Sequence, residues 1–335
     1  MAIQVDAAAE FGNSGLVHNL LQWIKPRARI LAPLFTLIVL AVFFGIVSDH
    51  FLTLRNLENI VEQASLLAIL ATGVTMVLLL GEIDLSFANT ATLVGMTMAL
   101  MADVEYTVVW IVPVCFIIAL AVGFINGYVS AYIRVPSFMA TLAMYQIAYG
   151  VAHYASHATP VFSVPQIFRV LGNKNLGFIP WIFICALIVM VGAHFLLRYT
   201  RFGRYIYMTG GNREAARVSG VNTRLVVTAV FCIAGLASGF GGMLGIGRLG
   251  VAYDNTMNSK LIDGIAAVVL GGTSLTGGEG GMLNTLIGVL IWTSLGIGLD
   301  LMDISIYIKD LVRGIILLLA LIFNIIVQRS AQTEE

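Results

Sequence analysis

About ten long apolar segments run through this chain, and they restrict its fold more than any other feature. They fall near residues 29–48, 60–81, 88–103, 107–133, 136–154, 177–198, 225–248, 259–272, 281–299 and 305–327. A helix needs roughly 20 residues to cross the hydrocarbon core of a bilayer. The shorter segments, 88–103 and 259–272, read as partly re-entrant or broken helices, so about eight to eleven crossings are expected. In lipid every backbone N–H and C=O must find its partner within the protein, which leaves helices and closed barrels. These runs are continuously apolar and do not alternate, which excludes a barrel. The expected fold is an all-α polytopic membrane protein with about ten transmembrane helices. Composition agrees, with 59% of residues hydrophobic and 11% charged, where soluble domains carry about 25% charge.

Charge placement orients the chain. Formal net charge is zero, so charge points neither to nucleic acid nor to acidic partners. From Arg198 to Arg224, however, six arginines stand with one acid, Glu214. Basic loops stay cytoplasmic. With an inside N-terminus and ten crossings, the inside also holds Lys25, Arg27, Arg29, Arg134 and Arg329, so both termini are expected in the cytoplasm. The N-terminus does not read as a cleavable signal, because its basic residues come late and no small-residue cleavage site follows the first apolar run.

The organisation expected is one transmembrane domain over 29–327, a cytoplasmic N-terminal segment over 1–28, a cytoplasmic loop over 199–224 and a tail over 328–335. Residues 16–24 are either an interfacial helix, with Leu16, Leu20 and Trp23 on one side, or part of a disordered tail. An outside loop is expected near 155–176. Segments two to five and seven to ten form two four-helix groups of opposite topology, by counting alone. Glycines such as Gly239, Gly242 and Gly245 suit close helix packing or hinges. Cys115, Cys185 and Cys232 lie in apolar spans without paired spacing and read as small hydrophobes.

Four polar motifs interrupt the grease. GEIDLSFA, Gly81–Ala88, is expected as a tight inside turn. A charge at the bilayer centre costs about 2.5–3.5 kcal/mol on insertion scales, so Glu82 and Asp84 must face water, protein or a cavity. Either Asp84 or Ser86 caps the following helix, or the segment is a gate in a substrate path. VLGGTSLTGGEGG, Val269–Gly281, holds Thr273 and Ser274 in a flexible turn on the same side. It lacks the lysine of a phosphate-binding loop, so this chain is expected to bind neither ATP nor Mg²⁺ itself. In Phe124–Met144, Pro136 breaks the helix after Arg134. Asn126, Thr141, Tyr145 and Gln146 either bond between helices or line a hydrophilic path. Asp263 either caps its helix or faces the pathway, and Asp310 with Arg313 suits a surface ion pair. In the arginine loop, Asn212 can cap a short helix and Gly220 can end it. The five histidines lack metal-ligand spacing, and no catalytic constellation or metal site is visible.

Four runs in order — GEIDLS, VPSFMATLAM, TRFGRYIYMTGGNREAARVSGV and DGIAAVVLGGTSLTGG — resemble the membrane-spanning subunit of bacterial ATP-binding-cassette sugar importers, nearest the ribose/xylose/arabinose-type permeases. The resemblance covers residues 55 to 325. It implies that a periplasmic binding protein delivers a monosaccharide, that two permeases (identical or related) form the path, and that a separate cytoplasmic ATPase hydrolyses ATP with Mg²⁺. It implies a fold similar to vitamin B12-type importers and alternating access. It also puts the coupling contact with the ATPase on Gly210–Val221, hence on Gly211, Asn212, Arg213, Glu214, Ala215, Arg217, Val218 and Gly220. The candidate pathway or gate residues are then Glu82, Asp84, Ser86, Asn126, Thr141, Tyr145, Gln146, Asp263, Thr273 and Ser274. The sequence departs from the family where Glu82 replaces a glycine, Leu261 an acid and Gly264 an alanine. Rival readings are another solute of the same superfamily (a branched-chain amino acid, nucleoside or furanosyl signal) and an ion-coupled carrier. Such carriers usually place a charge in mid-span, whereas here the acids cluster at span ends.

Overall fold

The computed structural model describes residues 28–332. The expected interfacial helix and residues 333–335 of the expected tail lie outside the described residues. Within them the chain is almost entirely helical. In order come α1 (Ala28–Val47), α2 (Leu54–Leu79), α3 (Phe87–Asp103), α4 (Val108–Tyr128), α5 (Ser137–Ala155), α6 (Gln166–Asn173), α7 (Trp181–Tyr199), α8 (Arg201–Gly211), α9 (Arg213–Val218), α10 (Thr223–Leu249), α11 (Lys260–Leu270), α12 (Met282–Leu301) and α13 (Ile306–Gln332). A two-residue hairpin, β1 (Asn175–Leu176) with β2 (Ile179–Pro180), precedes α7.

Each apolar segment of the sequence falls on one helix. Among the described residues, five are long and apolar enough to cross a membrane: α2, α4 with its extension to Ile133, α7, α10 and α12. With that, the chain is a multi-pass membrane protein. At 11 residues, α11 rises only about 16 Å, half the roughly 30 Å core. Segment 259–272 is therefore a half-length helix that ends in the glycine-rich turn. The outside loop expected near 155–176 is also structured: α6 packs its Phe168 carbonyl against Gly247 of α10.

The core is built around α10, which packs on α2, α3, α4 and α6. Hydrophobic burial does not separate helix from lipid, so small residues that admit close backbone approach become the main driver. A Cβ on Gly242 would stand 2.0 Å from the Ala91 carbonyl oxygen of α3. A second cluster joins α1 to α12 through Phe44, Phe51, Leu295 and Ile297. Side chains such as Phe35, Trp110, Ile117 and Phe195 are left exposed on the periphery, as a lipid-facing surface requires.

Some polar groups inside the bundle are satisfied locally. Thr72 and Thr75 donate to the carbonyls four residues earlier, and Thr75 Oγ1 meets Thr285 Oγ1 of α12 at 2.5 Å. The helix α4 continues through a π-helical turn, Val129–Ile133, and stops at Arg134 with φ 68°. Pro136 explains the stop, because the residue before a proline avoids α geometry and the proline itself has no N–H to give.

Candidate functional site

Three segments far apart in sequence meet at one end of the bundle. The first is the non-helical link Leu80–Ser86 between α2 and α3. The second is the glycine-rich turn Gly271–Gly281 between α11 and α12. The third is the end of α8 with α9. The Gly278 N–H donates to the Leu79 carbonyl at 2.9 Å. Gly210 of α8 fills the gap between them so closely that a Cβ would lie 1.8 Å from that carbonyl oxygen. Tyr207 Oη, also on α8, donates to the Gly280 carbonyl at 3.0 Å.

Residues 80–86 are unwound inside protein, so their N–H groups need side-chain partners. α5 supplies them. Ile83 N–H donates to Ser137 Oγ and Leu85 N–H to Thr141 Oγ1, both at 3.0 Å. One turn further, Asn89 Nδ2 donates to the Tyr145 carbonyl at 3.0 Å. Thr141 therefore bonds between elements, and its partner is the candidate gate segment.

Asp84 is 5% exposed. Its Oδ1 accepts from the Ser86 N–H and from Ser86 Oγ, each at 2.7 Å. Asn126 Nδ2 of α4 in turn donates to Ser86 Oγ at 2.8 Å. Ser86 sits at the N-cap position of α3 but makes no side-chain cap bond. Of the two candidates for capping this helix, Ser86 does not do so, its hydroxyl being committed to Asp84 and Asn126; Asp84 is the one that accepts backbone N–H groups at the start of α3, from Ser86 and Phe87. Among the described residues no basic side chain lies within ion-pair distance of Asp84, so hydroxyl and amide dipoles alone hold it.

Glu82 faces the other way. Arg213 Nη2, the first residue of α9, donates to its Oε1 at 2.5 Å. α9 itself is locally determined. Asn212 Oδ1 accepts from Ala215 N–H at 2.9 Å. At the other end Gly220 takes φ 84°. Its N–H and that of Val221 close onto the carbonyls of Arg217 and Ala216, both at 3.0 Å, the double bond pattern of a glycine-terminated helix. Only Ala216 of this helix is buried. Glu214, Ala215, Arg217 and Val218 are exposed, Val218 at 83%. Gly211 and Gly220 flank them, also exposed. The helix thus presents an apolar tip and an exposed Arg217–Glu214 pair at 3.5 Å.

The remaining candidates do not all join this junction. Thr273 and Ser274 do: they lie buried in the glycine-rich turn, where Ser274 N–H donates to the Glu279 carbonyl at 2.9 Å. Tyr145 Oη turns away to Asn258 Oδ1 at 2.6 Å, and Gln146 is exposed. Asp263 belongs to a separate cluster. It accepts from Trp292 Nε1 at 2.8 Å and from Lys260 Nζ at 3.1 Å, with Arg313 Nη1 at 4.0 Å. It ties α11, α12 and α13 together. Arg313 is thereby drawn to Asp263 and over the Trp292 ring, instead of forming the surface pair expected with Asp310. Sequence reasoning missed Ser137 and Tyr207. For Ser137 a signal existed, since it stands four residues before Thr141 and so shares its helix face. Among the described residues no group of His, Cys, Asp and Glu gathers as a metal site.

Residues 56–321 match a family model described as the permease component of branched-chain amino acid transport systems. The chain is 36% identical over 307 residues to the ribose import permease protein of Escherichia coli strain K12, covering 90% of this chain and 94% of that protein. It is 33% identical over 308 residues to the galactose/methyl galactoside import permease protein of the same strain, with 84% and 91% covered. To the L-arabinose ABC transporter permease protein of Azospirillum brasilense it is 32% identical over 287 residues, with 86% and 85% covered.

Proposed function

The chain belongs to this family of transport-system permeases, and from that premise we propose that it is the membrane subunit of a binding-protein-dependent importer for a monosaccharide. Its relatives named for ribose, arabinose and galactose support a sugar over the amino acids in the family's description. A cytoplasmic ATPase supplies the energy, a periplasmic binding protein delivers the sugar, and a second permease completes the path. The subunit crosses the inner membrane about ten times in the manner of vitamin B12-type importers, with both termini inside. The permease itself carries no catalytic group and no cofactor.

One observation carries the mechanism: the exposed helix α9 is fastened to the unwound segment 80–86 by the Arg213–Glu82 pair. α9 docks in the ATPase through Val218, Ala215 and Arg217. When ATP closes the ATPase, the push passes through α9 to Glu82 and through α8 to Leu79 and the glycine-rich turn. The link to α3 then shifts against α5, where Ser137 and Thr141 hold it by hydrogen bonds that are individually modest. Alternating access needs such a two-state element. Asp84, Ser86 and Asn126 are its latch. Few polar groups meet the sugar, because a tight site could not release it.

The test is uptake of labelled ribose, arabinose and galactose into proteoliposomes containing the whole complex. Uptake should need both ATP and the binding protein. Arg213→Glu with Arg217→Glu should abolish ATP-driven uptake while the protein still inserts. Uptake driven by a proton or sodium gradient alone would remove this reading.

A further inference from the structure

A cavity of about 790 Å³ opens between the end of α4, the start of α5, α9 and the start of α10. Four arginines stand in its wall: Arg134, Arg213, Arg217 and Arg224. Two are already answered, Arg213 by Glu82 and Arg217 by Glu214. Arg134 and Arg224 have no carboxylate within ion-pair distance among the described residues. The Arg224 guanidinium stands over the Tyr132 ring, 5.7 Å from its centre.

The same wall holds an unmet hydroxyl. Ser130 is 8% exposed, and its Oγ has no hydrogen-bond partner among the described residues. It lies in the π-helical turn Val129–Ile133. A buried hydroxyl without a partner costs about 1–3 kcal/mol, so a ligand with acceptor oxygens gains by meeting it. An anion with several oxygens answers all three groups at once, since guanidinium forks and hydroxyls both donate to phosphate oxygens.

The rim says which anion. Tyr128, Tyr132, Ile133 and Leu225, close in sequence to the lining residues Ser130, Arg134 and Arg224, are exposed, and Phe124, Tyr128 and Tyr132 form a stacked ladder along α4 and its extension. Aromatic side chains of this kind sit at membrane interfaces. A soluble anion has no use for an apolar rim, whereas a lipid does. Basic pockets between transmembrane helices on the cytoplasmic side suit acidic lipid headgroups. We propose that this cavity binds the phosphate headgroup of an acidic phospholipid, held by Arg134, Arg224 and Ser130, with its acyl chains along α4. The proposal rests on the permease reading only in needing the chain to sit in a bilayer, so its test is scored without transport.

The full chain is released from mixed micelles holding equal phosphatidylglycerol and phosphatidylcholine, and retained lipid is counted by native mass spectrometry. The wild type should retain phosphatidylglycerol in preference. Arg134→Gln with Arg224→Gln should lower that preference about 30-fold, and Ser130→Ala by a smaller factor. Arg134→Lys with Arg224→Lys should keep most of it. If the glutamine pair fails to insert, Arg224→Gln alone takes its place. Equal retention by wild type and the glutamine variant overturns the proposal. So does displacement of the lipid by inorganic phosphate, which would make this a soluble-anion site.

Discussion

Two aspartates are buried among the described residues, and they are held in opposite ways. Asp263 sits among Lys260, Arg313 and the Trp292 N–H on three neighbouring helices. Asp84 has neutral donors instead, the Ser86 N–H and hydroxyl and the Phe87 N–H, backed by Asn126. A carboxylate locked by cations in an apolar setting is expensive to disturb, because breaking the pair strands a charge. A carboxylate held by neutral donors from a short non-helical link can exchange partners at a cost of a few hydrogen bonds. The first arrangement suits a fixed joint and the second a moving one. Their positions agree. Asp263 joins α11, α12 and α13, while Asp84 lies in the segment tied to α9.

That contrast can be broken most directly at Asp263. Asp263→Ala leaves Arg313 and Lys260 without their partner and should cost about 3 kcal/mol. Thermal unfolding in detergent checks it. Uptake should fall only in proportion to folded protein; a specific loss of transport at normal stability would make Asp263 part of the moving element. The junction comes next. Gly210→Ala puts a Cβ 1.8 Å from the Leu79 carbonyl oxygen, an overpacking strain of about 1–3 kcal/mol. It should separate α8 from the glycine-rich turn, so ATP hydrolysis by the complex should continue while sugar uptake fails. Tight coupling in that variant would dismiss the junction as the transmission route. Asp84→Asn should be mildest in stability, within about 1 kcal/mol, because the amide oxygen can still accept from Ser86. Its effect should instead appear in uptake, at least about tenfold down. A variant that unfolds but transports normally per folded molecule would reverse the comparison.

Local structure was legible in the residues. Apolar runs and their interruptions place the helices, because a backbone in lipid has few other options. Asn212 and Gly220 announced both ends of α9, because caps are short-range chemistry. The stop at Pro136 was readable for the same reason. Of the candidate site, Glu82, Asp84, Ser86, Asn126, Thr141, Thr273 and Ser274 come together, whereas Asp263, Gln146 and the Tyr145 hydroxyl do not. Nothing in the sequence alone separates these groups, since all are polar residues inside or near apolar spans. Periodicity reports that a residue is buried, not which distant residue it meets.

By itself, then, the sequence determined a membrane-embedded helical chain, the places where its helices break, and a capped basic helix between two apolar spans. Those follow from hydrophobicity, proline and glycine geometry and capping, all of which act within a few residues. Tertiary structure decided the pairings: Arg213 with Glu82, Gly210 against Leu79, and Arg313 with Asp263 in place of Asp310. Each joins groups on different elements, and such contacts depend on which faces approach within reach. That choice is set by the small-residue packing around α10, through the combined fit of many surfaces, and no local rule encodes it.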